Sequence, residues 1–192
     1  MQMFLDLFAC WIAPDQKIAL ENEAAIAVDE ESAKAIIRQI TDKEALCNGV
    51  DSSMLETRFE YLALAARMGN IDAKIAFPGM MSSKYETSVD MFVNSEEISK
   101  IKQESLRHLL DASKTGNRNA LGQLSFIYWR GTHGKVDRVK GYAYLLATAR
   151  LGASRLPQNQ LDIWRPELNA DQLLQAQNIA DQIVASCCHP KP

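Results

Sequence analysis

Apolar residues recur along this chain at helical spacing. In the stretch from Arg58 to Met68, Phe59, Leu62, Ala63 and Ala66 return to one face. Ala120, Leu124 and Tyr128 stand at i, i+4 and i+8, and Val139, Tyr142, Leu146 and Ala149 form a further stripe. Near the end, Leu173, Ala176, Ile179, Ala180 and Ile183 predict a helix opened by Asn169 as its cap. Asp29 to Ile40 predicts another, with acidic residues in its first turn and Arg38 near its end, as the helix dipole favours. No segment shows convincing period-two alternation. The best approach to a strand, Thr87 to Val93, reads as loop or short helix.

The helices are punctuated by a recurring signal. "LALAARMGN" ends at Gly69 and Asn70, "LLDASKTGN" at Gly116 and Asn117, and "LLATARLGA" at Gly152 and Ala153. Gly116 and Gly152 lie 36 residues apart, a helix-turn-helix period. Gly69 and Gly116 lie 47 apart, the same period with 11 residues added. Each glycine supplies the positive φ that closes a helix, and each asparagine caps the helix that follows. Ala73 and Ala120, three residues after those asparagines, leave room for close helix approach. Gly131 and Gly134 mark a turn, and Asp137 caps the helix after it. The surplus residues fall in a predicted loop over 78–97, where Pro78 and Gly79 are expected to break the preceding helix. The predicted organisation is an N-terminal helical cap over 1–53, repeats over 54–154 and a capping helix with a tail over 155–192. Helices at both ends hide the terminal faces of such an array.

The repeated pattern resembles the Sel-one-like repeat (SLR) family, α/α relatives of the tetratricopeptide repeat. Ala120, Leu124, Tyr128, Gly131, Gly134, Val136, Asp137, Lys140, Tyr144, Ala147, Ala149 and Gly152 carry the resemblance. Tyr61, Ala65, Ala66, Gly69, Asn70 and Ala73 carry a fainter upstream copy. The match is good over Gln103 to Ser154, fair over Arg58 to Phe77 and absent before Asp29. Ser125 stands where the family usually has glycine, and Gly141 where it usually has alanine. The fold implied is all-α, a short α/α solenoid.

Composition narrows the function. The chain has 192 residues, 47% hydrophobic, with 21 basic against 24 acidic side chains and a net charge of −3. Its lysines and arginines are scattered rather than gathered in a stripe, which argues against nucleic acid as a partner. No stretch has the roughly 18 apolar residues of a membrane span. "MQMFLDLFACWIAP" is interrupted by Asp6 and lacks a basic start, so it reads as a short helix packed on the domain. Of four cysteines, Cys10 and Cys47 are a disulfide pair if the protein is exported. Cys187 and Cys188, followed by His189, read as a tail beyond a helix rather than a zinc half-site.

Nothing in the text points to catalysis, a cofactor or a metal. His108 sits among Leu106, Leu109 and Leu110 and reads as a buried structural histidine, and His133 lies between turn glycines. Ser53, Ser82, Ser83 and Ser105 lack a nucleophile-elbow setting. Glu96 and Glu97 suit the start of a helix. Binding is the expected role, on the surface formed by the first helix of each pair. On the helix from Asn117, the residues expected there are Asn119, Gln123, Ile127 and Arg130, with Trp129 as an aromatic anchor. The loop carries Met80, Met81, Tyr85, Met91 and Phe92, which implies that it docks on this domain or on a partner. The resemblance implies a non-enzymatic adaptor or scaffold holding a protein partner. It also admits a dedicated inhibitor or immunity protein that neutralises a bacterial effector enzyme such as a lipase. The compartment is then the bacterial cytoplasm, or the periplasm if a signal peptide has been removed.

Overall fold

A computed structural model describes residues 14–46, 52–85, 88–152 and 158–188. Among these the chain is all-α, built of consecutive packed helices. The helices are α1 (Pro14–Ala25), α2 (Glu30–Leu46), α3 (Ser52–Arg67), α4 (Ile71–Ser82), α5 (Ser88–Val93), α6 (Ser95–Ser113), α7 (Arg118–Arg130), α8 (Arg138–Arg150), α9 (Gln158–Trp164) and α10 (Ala170–Cys188). A 3₁₀ turn, Arg165–Glu167, joins the last two. The chain divides into two compact units at Leu64 and Ala65.

In the first unit, α1 and α2 pack against each other. Asp29 caps α2 by accepting from the Ser32 amide at 2.7 Å and its hydroxyl at 2.9 Å. The apolar N-terminal stretch, Cys10 and Cys47 lie outside the described residues.

In the second unit each helix packs on its neighbours in chain order: α4 on α6, α6 on α7, α7 on α8 and α8 on α10. That succession is the signature of stacked α/α pairs. The closing glycines behave alike, with φ of 95° at Gly69, 72° at Gly116 and 77° at Gly152. Asn70 caps α4 through the Ala73 amide at 2.8 Å. Asn117 accepts from the Asn119 and Ala120 amides at 3.0 and 3.2 Å. Asp137 caps α8 through Lys140 at 2.9 Å, and Asn169 and Gln172 form a reciprocal capping box on α10. Arg118 at the start of α7 donates to the Gly152 carbonyl at 2.7 Å, closing the α7–α8 pair at its open end.

Two apolar clusters fill this unit. Leu109, Ala112, Ala120, Leu124 and Ile127 meet between α6 and α7. Trp129, Tyr142, Ala143 and Leu145 meet Trp164, Leu168 and Ala176 under α9 and α10. Of the predicted stripe on α8 only Tyr142 is buried, with Val139, Leu146 and Ala149 half-buried; Gly141, Ala143, Leu145, Ala147 and Thr148 are buried as well, because both α7 and α10 pack on this helix. Cys187 and Cys188 lie within the last turn of α10, not beyond it.

The predicted helix break at Pro78 is not there. α4 runs through Pro78 to Ser82. Proline leaves the Lys74 carbonyl without its i+4 donor and normally costs a helix about 3 kcal/mol. Phe77 and Met81, four residues apart on one face, are both buried, and that packing holds the helix across the proline. Ser82 and Ser83 then donate back to the Gly79 and Met80 carbonyls. Tyr85 is buried beside them, and Lys84 pairs with Glu97 at 2.8 Å, drawing the segment onto the start of α6. Ser88–Val93 is helical as α5, where Met91, Phe92 and Val93 are exposed, Phe92 by 84%.

Candidate functional site: the groove between α4 and α7

α4 and α7 each follow a closing glycine and an asparagine cap, so they hold equivalent places in successive pairs. Two adjoining depressions of about 510 and 610 Å³ run between them. Both are lined by Ile75, Gly79, Asn119 and Gln123. Gln123 Nε2 donates to the Ile75 carbonyl at 3.1 Å, tying the two helices across the groove floor. A Cβ at Gly79 would meet nothing within 4 Å, so the groove is open above it.

The five residues expected on this surface are placed differently from one another. Asn119 is exposed, Gln123 is half-buried, and both line the groove. Ile127 lines its far end but is only 8% exposed, packed with Leu124 and Leu109. It stands seven residues after Ala120, two turns along, and so returns toward the same face. Trp129 is 9% exposed and stacks on Trp164, with ring centroids 4.1 Å apart and planes 3° from parallel. Arg130 is exposed in the last turn of α7. Arg118, Phe126 and His133 complete the wall near Ile127. Burial pushes the His133 imidazole below its ordinary pKa, and its Nδ1 lies 3.0 Å from the Thr132 hydroxyl oxygen. Ile75 and Gly79 were not foreseen, since the broken helix expected at Pro78 hid the register of α4.

The groove thus offers amide donors and acceptors over an apolar floor, the mixture found in peptide-binding clefts. His108, the other histidine in the described residues, is 4% exposed on α6. Its ring meets Phe77 edge-on at 4.9 Å, and Nε2 lies 3.6 Å from Glu104 Oε1. Burial lowers its pKa against the opposing pull of Glu104. No helix among the described residues is long and apolar enough to cross a membrane.

No protein-family model and no curated protein matches the chain. Among solved structures it is similar to c5321, described as a protective antigen present in uropathogenic Escherichia coli strains displaying an SLR fold. The identity is 16% and the TM-score 0.43, over 90% of this chain and 44% of that one. The chain therefore spans less than half the length of that structure.

Proposed function

We propose that the protein is a non-catalytic binding module that holds a segment of a partner protein in the groove between α4 and α7. The observation that carries this reading is the groove itself, open above Gly79 and lined by Ile75, Asn119 and Gln123 from equivalent helices of successive pairs. Stacked helix pairs present such surfaces as their working faces. Asn119 and the free valences of Gln123 supply hydrogen bonds to a peptide backbone, and Ile75 and Ile127 supply apolar contact. Arg130, exposed at the end of the same helix, is a candidate rim contact. Trp129, stacked on Trp164, acts by fixing α7 rather than by touching the partner.

The test places a photo-crosslinking amino acid at Asn119 and, as a control, at the exposed Gln177 of α10. Expressed in the native host, the Asn119 probe yields one discrete adduct that the Gln177 probe does not. Identical adducts from both positions, or none from Asn119, would remove the groove from consideration. The nature of the captured protein then separates an adaptor from an inhibitor of a single enzyme.

A further inference from the structure

A second cleft, of about 880 Å³, is lined by α6 together with the end of α3, α4, α8 and α10, and shares no residue with the α4–α7 groove. Arg67, Lys74, Arg107 and Lys114 line it. Two carboxylates answer these four cations. Glu104 Oε1 accepts from Arg67 at 3.1 Å and from Arg107 at 3.3 Å. Asp111 pairs with Lys74 through one oxygen and with Lys114, at 3.4 Å, through the other. Each carboxylate is thus shared between two cations, and the cluster keeps an excess of two positive charges in a chain whose net charge is −3. Lys74 is only 8% exposed, and its ammonium has Asp111 as its carboxylate partner. Leu106, Leu110 and Ile183 give the cleft an apolar wall. Low-dielectric walls beside unmatched charge concentrate the field in the cleft.

We propose that this cleft binds an acidic peptide segment, its carboxylates facing Arg107, Lys114 and Lys74 and an aliphatic side chain against Leu106, Leu110 and Ile183. The charge excess selects an anion, and the apolar wall selects one joined to aliphatic groups. The site is independent of the α4–α7 groove and stands whether or not that groove binds a partner.

The experiment measures fluorescence anisotropy with the full chain and two labelled, capped tetrapeptides, Leu-Glu-Glu-Leu and its isostere Leu-Gln-Gln-Leu. The double variant Arg107→Gln/Lys114→Gln removes the charge excess while each carboxylate keeps one cation. Both side chains are largely exposed, at 69% and 76%, so the fold is retained. The acidic peptide binds roughly tenfold more tightly than its isostere, and the double variant abolishes that difference. Lys114→Gln alone, which leaves Lys74 on Asp111, gives an intermediate loss. Gln177→Ala, exposed on α10 and outside the cleft lining, leaves the affinity unchanged. Equal binding of the two peptides overturns the proposal, as does undiminished binding to the double variant. Inorganic phosphate competing as well as the acidic peptide also overturns it, showing a site for small anions only.

Discussion

Gly141 of α8 packs directly against the backbone of Trp129 of α7. A Cβ at 141 would stand 2.8 Å from the Trp129 amide nitrogen and 3.0 Å from the Ser125 carbonyl oxygen. Ser125 and Gly141, two positions at which the sequence differs from the repeat pattern it resembles, are therefore neighbours across one helix contact. Ser125 is fully buried and its hydroxyl donates to the Gly122 carbonyl at 2.7 Å, while its own carbonyl oxygen faces Gly141.

Gly141→Ala is expected to destabilise the chain by about 1–3 kcal/mol, since the obstacles are backbone atoms that cannot rotate away. Gly134→Ala is the control, because a Cβ there meets nothing within 4 Å. Urea midpoints for the two variants check this, with a drop for the first and little change for the second.

Asn117→Ala removes the acceptor for two amides at the start of α7. A loss of about 1 kcal/mol is expected. Asn117→Asp, which keeps the acceptor, retains most of that stability. The midpoint difference between the two variants isolates the cap from any effect of side-chain size.

Lys74 is buried and Asp111 is half-exposed, so their ion pair is only partly desolvated. Asp111→Ala strands the ammonium and is expected to cost about 1–3 kcal/mol, less than a fully buried pair would. Lys74→Met in the Asp111→Ala background recovers most of the loss, because no uncompensated charge remains. A double-mutant cycle on unfolding free energies measures it.

Stability should fall between pH 7 and 5 through His108 and His133. Both imidazoles are pushed below the ordinary value of 6.5 by burial. Around His108, Arg107 and Lys74 also disfavour its charge, while Glu104 favours it. The folded state holds these rings neutral, so their contribution is complete above about pH 6.5. It is lost as the pH falls from there through the depressed folded values, where the unfolded chain binds more protons. Asp111 and Glu97, whose pKa values are held low by Lys74 and Lys84, lose their contribution only in more acidic solution. His108→Gln/His133→Gln should flatten the urea midpoint between pH 7 and 5 and leave the acid limb in place.

The sequence revealed what is encoded within a turn or two. Asn70, Asn117, Asp137 and Asn169 are caps because a side chain reaches amides two or three residues ahead. Gly69, Gly116 and Gly152 end helices because a positive φ there is cheap for glycine. What lay beyond reading depends on partners far along the chain. α4 survives Pro78 because Phe77 and Met81 are buried by tertiary packing. Lys74 meets Asp111 and Gln123 meets Ile75 across 37 and 48 residues. Trp129 could equally have been an exposed anchor until Trp164, from beyond the recognisable repeats, stacked on it. The groove was legible in the helix that supplies Asn119 and Gln123, and not in the helix that supplies Ile75 and Gly79.

Gly79→Leu tests the central claim most directly. A Cβ at this position meets nothing within 4 Å, the leucine extends from it into the groove, and the substitution removes a helix-interior glycine worth roughly 0.5–1 kcal/mol of lost stability. Titration calorimetry of the photo-captured partner against wild-type and Gly79→Leu chains supplies the comparison. The account predicts at least about a tenfold loss of affinity in a variant that unfolds no earlier than the wild type. Unchanged affinity in that equally stable variant would contradict it.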